Sequence, residues 1–226
     1  MIVVIISADS EWAAALEILD PVSRQRNPYS EHFFSEVNGK SVVFLHGGWG
    51  RISAAATAQY GIDAWNPEVI INLGTCGGLK GSVQVGETLL VNETVPYDIH
   101  ERMSDAAGAI RFYSTLLDLS FIQQPYPQQV RVERLASADQ DIDPSLVPML
   151  RDQFKVVAAD WESGAIAWVA QRNEVPCLIL RTVSDIVSET DGEIYYDDAS
   201  QFKARSRQIM KELLETLPDW IRQIHA

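Results

Sequence analysis

Cysteine is nearly absent, with two in 226 residues, and basic residues are outnumbered, 18 Lys and Arg against 31 Asp and Glu. Cys76 and Cys177 sit in apolar stretches without a CxxC or a Cys/His cluster, which excludes a disulfide framework and offers no spacing for a structural metal. Reduced thiols, a cytoplasmic protein and no metal or other cofactor are the expectation. The formal net charge of −13 argues against a nucleic-acid partner, because such binding is driven by Lys and Arg neutralising phosphates. Long apolar runs are also missing. The opening stretch Met1 to Ile6 is interrupted by Ser7, Asp9 and Glu11 and lacks the basic start of a signal peptide, and nothing approaches the ~20 apolar residues that span a bilayer. It reads as a buried strand, with no membrane partner.

What the chain does have is apolar content, 46% of its residues, enough for one α/β domain over 1–226. Strand and helix patterns alternate. After the first strand, Ala8 to Leu19 carries Trp12, Leu16 and Leu19 at helix spacing and stops at Pro21. Glu31 to Val37 and Ser41 to His46 form a hairpin around Asn38-Gly39, a two-residue turn signal. An alanine-rich helix over Ile52 to Trp65 ends before Pro67, and strands follow over Glu68 to Asn72 and Glu87 to Val95. Residues 96–129 show no consistent period. A strand over Val130 to Ser137, a helix over Pro144 to Gln153, a strand over 155–159, a helix over Glu162 to Arg172, a strand over 177–183 and a helix from Asp198 complete the pattern. Such alternation predicts a mostly parallel sheet covered on both faces, with ligands beyond the carboxyl ends of the strands.

Those strand ends carry the informative residues. Ile70-Ile71-Asn72-Leu73 runs into Gly74-Thr75-Cys76-Gly77-Gly78, read as a loop of small residues that brings backbone N–H groups close to a ligand. Acids follow other strands: Glu11, Asp139 to Asp143, Glu162 and Asp185. All are expected to converge on one rim, although for each acid alone a helix-start or solvated role competes. Two tempting motifs fail. Gly39-Lys40-Ser41 lacks the first glycine of a P-loop, since position 34 is Phe34, and Gly48-Trp49-Gly50 lacks the third glycine of a dinucleotide fingerprint, with Ser53 in its place.

Taken together, Ser7-Ala8-Asp9-Ser10-Glu11, Gly47-Gly48-Trp49-Gly50-Arg51, Asn72 to Leu79, Ser137-Ala138-Asp139, Asp160-Trp161-Glu162-Ser163-Gly164-Ala165-Ile166-Ala167 and Arg181-Thr182-Val183-Ser184-Asp185 resemble the nucleoside phosphorylase and nucleosidase superfamily, nearest the methylthioadenosine/S-adenosylhomocysteine nucleosidases. The resemblance covers nearly the whole chain. It implies a three-layer α/β/α sandwich with a mixed, partly barrel-like central sheet, a homodimer, and cleavage of a purine N-ribosidic bond in a small-molecule nucleoside. Glu162 then corresponds to the carboxylate that holds both ribose hydroxyls, with Trp161 where a methionine packs on the ribose. Asp185 corresponds to the acid that supports protonation at purine N7, and Glu11 to the base that activates water, with the block Ser7 to Glu11 aligned as one; a shift of one residue would place Trp12 there. Ser184, Asp141 and Ile142 fall at the base site, Asp141 standing where relatives stack an aromatic ring. Thr75 and Gly77 belong to the loop beside the nucleophile. Gly48 and Trp49 fall at the pocket for the 5′ substituent, with His46, His100, Met103, Tyr195 and Tyr196 as further candidates to shape it.

The chemistry asks for these residue types. Breaking a ribosidic C–N bond creates an oxocarbenium-like sugar and a purine anion, so one acid neutralises the leaving group while a carboxylate prepares the nucleophile. Asn72 stands where the phosphorylases carry an arginine, which favours water over phosphate. Arg51 reads as a solvated helix-start arginine. An indole at Trp49 is expected to fill the 5′ pocket and disfavour the long homocysteine tail. Phosphorolysis, futalosine-type hydrolysis, and a nucleoside-binding or storage protein without turnover are the competing readings.

Overall fold

The computed structural model describes residues 1–193 and 199–225, of which 199 and 200 are described by their backbone alone. Among the described residues ten strands join in one mixed sheet, in which β10 (Cys177–Val187), β6 (Thr88–Pro96), β8 (Arg131–Ser137), β9 (Ala158–Asp160), β5 (Val69–Leu79), β1 (Ile2–Ile6), β4 (Lys40–His46), β3 (Glu31–Val37) and β2 (Gln25–Arg26) lie side by side in that order, with β7 (Thr115–Leu116) added to β6. The first strand, β1 (Ile2–Ile6), is buried along its length and lies parallel to both β4 (Lys40–His46) and β5 (Val69–Leu79). Its run of branched apolar residues suits burial on both faces. Ile2, Val4 and Ile6 join one core and Val3 and Ile5 the other.

Helices cover each face. On the first lie α1 (Asp9–Leu19) and α6 (Ala199–Gln223), the latter burying Ile209, Met210, Leu213, Leu217, Trp220 and Ile221 at helical spacing. On the second lie α2 (Gly50–Trp65) and α5 (Ser163–Arg172), whose Ala54, Ala58, Ala167 and Ala170 are fully buried and let the helices sit close to the sheet. The three-layer sandwich with a mixed sheet is thus the observed architecture. The hairpin of β3 (Glu31–Val37) and β4 turns at Asn38 and Gly39, with φ of 53° and 74°, the left-handed pair that a two-residue turn requires.

The barrel-like part arises because β5 has three neighbours. It pairs with β1, with the parallel β10 (Cys177–Val187), and at its far end with the antiparallel β9 (Ala158–Asp160). From β9 the sheet continues through β8 (Arg131–Ser137) and β6 (Thr88–Pro96) back to β10, closing a ring of five strands.

Four segments fold otherwise than their sequence patterns predict. Gly74 to Gly78 is the second half of β5 and not a loop; its glycines are demanded by neighbours crossing the strand, not by left-handed backbone. Ser184 and Asp185 lie within β10, which extends past residue 183, and the register slips at Ser184, so that Val183 faces Cys76 while Asp185 faces Gly77. Residues 96–129 contain α3 (Ala106–Tyr113) and the short β7 (Thr115–Leu116), whose helix buries no side chain completely and so shows little period. The segment expected as one helix over 144–153 is a 3₁₀ turn, Pro144–Leu146, followed by α4 (Val147–Asp152). A two-residue strand, β2 (Gln25–Arg26), pairs with β3.

Candidate active site

A cavity of about 480 Å³ opens over the barrel end of β5 and β10, lined by Thr75, Cys76, Gly77, Ser184 and Asp185 from the strands. The first turn of α1 supplies Ala8 to Glu11, the end of β9 and the turn into α5 supply Asp160, Trp161 and Glu162, and the segment after β8 supplies Gln140, Asp141 and Ile142. Phe202 and Lys203 of α6, which the sequence reading did not single out, complete the wall.

Four buried carboxylates face this space, Asp160 paired with an arginine and three others without one. Glu11 accepts at Oε1 from the Thr75 N–H at 2.6 Å and the Thr75 hydroxyl at 2.8 Å, while Oε2 is buried without a hydrogen-bond partner among the described residues. Burial raises its pKa, opposed by the positive field of Arg181 and by the Thr75 donors. Glu162 opens α5 and takes the Gly50 N–H at 3.1 Å on Oε1; burial and the neighbouring Asp160 push its pKa up to about 8. Asp185 lies 2.6 Å from the Ser184 hydroxyl, and burial, with Glu193 and Asp141 adding repulsion, raises its pKa as well. In water a carboxylate would be ionised near pH 4; low-dielectric surroundings without full pairing shift the balance toward the protonated form.

Beneath the carboxylates lies an arginine that the sequence reading quoted but gave no role. Arg181 of β10 is 1% exposed, pairs with Asp160 at 2.9 Å, and donates to the Asn72 amide oxygen at 2.9 Å and the Ser163 hydroxyl at 2.8 Å. Burial works against its charge, but Asp160, Glu11 and Glu162 outweigh that cost and hold the guanidinium ionised. Its Nη1 crosses Gly74 so closely that a Cβ there would lie 1.9 Å away. Asn72 is itself fully buried, donating to the Ile5 carbonyl and accepting from Ser163 and Arg181, so it faces the interior and not the cavity. The available signal was a lone cation following the apolar run Cys177 to Leu180.

Several candidates fall elsewhere. The Thr75 N–H, expected to greet a ligand, is taken by Glu11. Asp139 turns to Arg51, and Asp143 receives the Ser145 N–H and hydroxyl at the 3₁₀ turn, so the run of acids from 139 to 143 does not converge as a block. Arg51 is half-buried and paired, its guanidinium held by Asp98 and Asp139. Trp49 does line the cavity, but at its rim: it is 72% exposed and stacks on Trp161, ring centroids 5.5 Å apart, and does not occupy the interior as a plug of the 5′ pocket would. Gly48 sits behind it against Ser53, away from the lining. His46 stacks on Trp12 and touches Asp9, Met103 is 97% exposed, and neither they nor His100 line the cavity. Tyr195 and Tyr196 lie outside the described residues.

Comparison with known proteins gives relatives in sequence and in fold. The chain is 28% identical over 183 residues, 74% of its length and 79% of the relative's, to a 5′-methylthioadenosine/S-adenosylhomocysteine nucleosidase of Geobacillus sp. (strain WCH70). Its fold matches the crystal structure of the Campylobacter jejuni protein of the same description at a TM-score of 0.81, with 19% identity over 99% of both chains. It also matches a futalosine hydrolase mutant of Helicobacter pylori at a TM-score of 0.80, with 17% identity over 99% of this chain and 100% of that one. Residues 2–217 match the family model described as the phosphorylase superfamily, and the chain therefore belongs to that superfamily.

Proposed function

We propose that the protein hydrolyses the N-ribosidic bond of a purine nucleoside, 5′-methylthioadenosine or a related 5′-modified nucleoside, and releases the free base. The observation that carries this reading is the set of three buried carboxylates without an arginine partner, Glu11, Glu162 and Asp185, around one cavity above a buried arginine whose Nε and Nη2 are engaged and which Asp160 neutralises. Glu11 Oε2 accepts the proton of a water whose oxygen attacks C1′, and the C1′–N9 bond breaks. Asp185 supports protonation of the purine at N7, so the base leaves neutral. Glu162 takes the ribose hydroxyls and strengthens its hold as positive charge develops on the sugar. Trp161 gives the ribose an apolar floor, and Ile142, Ser184 and Asp141 border the base.

Water is favoured over phosphate by the charges in place. Arg181 spends Nε and Nη2 on Ser163, Asn72 and Asp160, leaving no free fork for a phosphate dianion, and Glu11 would repel one. Base release is therefore expected in phosphate-free buffer, with free sugar as the second product. A strict phosphate requirement, with a sugar 1-phosphate formed, would overturn the hydrolase reading, and saturable nucleoside binding without base release would replace it with a binding protein.

A single domain over 1–226, a cytoplasmic location and a homodimer belong to the same reading. Among the described residues no helix is long and apolar enough to cross a membrane. Exposed Ile52 and Tyr113 border a second apolar cavity of about 400 Å³, which supports a face for a second copy of the chain; sedimentation equilibrium showing a monomer at micromolar concentration would remove the dimer.

A further inference from the structure

The first turn of α2 has no side-chain cap of its own. The four leading N–H groups of a helix need partners from elsewhere, and carboxylates are favoured there by the helix dipole. Two acids from other elements meet that need. Glu162 takes the Gly50 N–H at 3.1 Å, and Asp139, just after β8, takes the Arg51 N–H at 2.7 Å. The Arg51 side chain then folds back on the same acid, its Nε donating to the second Asp139 oxygen at 3.0 Å while its Nη2 binds Asp98. Asp98 in turn receives the Asp139 N–H at 3.2 Å. One arginine and two aspartates thus lock the turn in which Gly50 sits.

Gly50 itself leaves no slack. Its φ of +81° lies in the left-handed region, and a Cβ there would stand 3.0 Å from Asp139 Oδ1. The amide directed at Glu162 is therefore aimed by the contacts of Arg51. On the far side of Glu162, Asp160 is tied to Arg181 and to the Ser163 N–H, so the Gly50 amide is the contact on this carboxylate that depends on the turn.

We infer that Arg51, clamped between Asp98 and Asp139, is a positioning residue for Glu162, fixing through the Gly50 amide the orientation in which this carboxylate meets the ribose hydroxyls. The inference rests on the ribose role of Glu162 in the proposed function. It assigns a purpose to a partly exposed ion-pair cluster that touches neither the base nor the scissile bond.

The test is a substrate comparison. Parent, Arg51→Met, Arg51→Lys and Asp139→Asn are assayed for kcat and KM on 5′-methylthioadenosine and on its 2′-deoxy analogue, with Tm measured alongside. Loss of one charge-assisted hydrogen bond's worth of alignment corresponds to about a tenfold change. Arg51→Met should therefore lower kcat/KM on the ribonucleoside about tenfold and on the 2′-deoxy analogue about twofold or less. Arg51→Lys should restore part of the difference, and Asp139→Asn, which disturbs the fold less, should show the same compression in weaker form. A merely structural role lowers both substrates alike, and that result, or an unchanged ratio in both Arg51→Met and Asp139→Asn, overturns the inference. Glu162→Gln in the same series separates the two failures. If it leaves the ratio unchanged, the ribose role falls and the inference with it; if it collapses the ratio while the Arg51 and Asp139 variants do not, the clamp alone falls.

Discussion

Asp160 and Asp185 are both aspartates on the cavity wall, and their partners divide them. Asp160 is tied to Arg181 at 2.9 Å and to the Ser163 N–H, whereas Asp185 has the Ser184 hydroxyl for a close donor and Glu193 and Asp141 for negative neighbours. One is a structural counter-ion and the other holds its proton above the usual range. Asp185→Asn should accordingly cost on the order of two decades or more in turnover with little change in Tm. Asp160→Asn should strand a buried guanidinium and destabilise the fold by about 3–5 kcal/mol in urea unfolding. Equal stabilities for the two variants would contradict this division. The sequence shows both residues after strands, where each reads as a candidate, but it does not show which one Arg181 claims. That depends on the parallel pairing of β10 with β5, which brings residues more than a hundred positions apart into register.

At the scale of elements, the hairpin, α1, α2 and the strands that carry the site were legible because turn chemistry and apolar period agreed with tertiary packing. Gly74 to Gly78 was misread because glycines signal a turn when the neighbouring strands are unknown. Only the folded sheet shows that Arg181 Nη1 and Glu11 Oε2 occupy the space a side chain would need. Gly74→Ala is therefore expected to destabilise by ~1–3 kcal/mol through overpacking, despite the better strand geometry of alanine, and to reduce activity by displacing Glu11. Neutral stability in chemical denaturation would show that the guanidinium has room to move. The rim resisted prediction for a different reason. Trp49 belongs to a short turn whose direction is set by Gly48 and Gly50, with φ of 71° and 81°, and no sequence period reports where such a turn aims a side chain.

For the whole molecule, the buried acids make stability depend on pH. Glu162 titrates near 4.5 when unfolded and at about 8 when folded, so the unfolded chain releases its proton first. The contribution is complete below pH 4.5 and is lost as pH rises toward 8, at up to about 1.4 kcal/mol per pH unit while only the unfolded form is ionised. Glu11 and Asp185, also raised by burial, act in the same direction. Thermal unfolding of the ligand-free protein should therefore show Tm falling between pH 5 and 8, and Glu162→Gln should flatten that slope and raise Tm at pH 8. His32 and His46, whose pKa values burial lowers, act in the opposite direction, so the decisive comparison is between variant and parent: an unchanged slope in Glu162→Gln would mean that Glu162 is ionised in the folded protein. Burial of these acids beside a fixed cation thus lowers stability near neutrality relative to acid pH, most of all through Glu162.

The slip at Ser184 has a consequence for inheritance. In an unbroken strand Asp185 would share the facing of Arg181 and Val183; the single extra residue transfers it to the facing of Gly77, on the cavity side. The guanidinium in the floor and the acid at the wall are thus four positions apart on one strand yet answer to opposite parities. An insertion or deletion anywhere between them would exchange the acid for a neighbour in one step, with no gradual intermediate. The length of this short stretch, and not only its residues, fixes the side on which the acid stands.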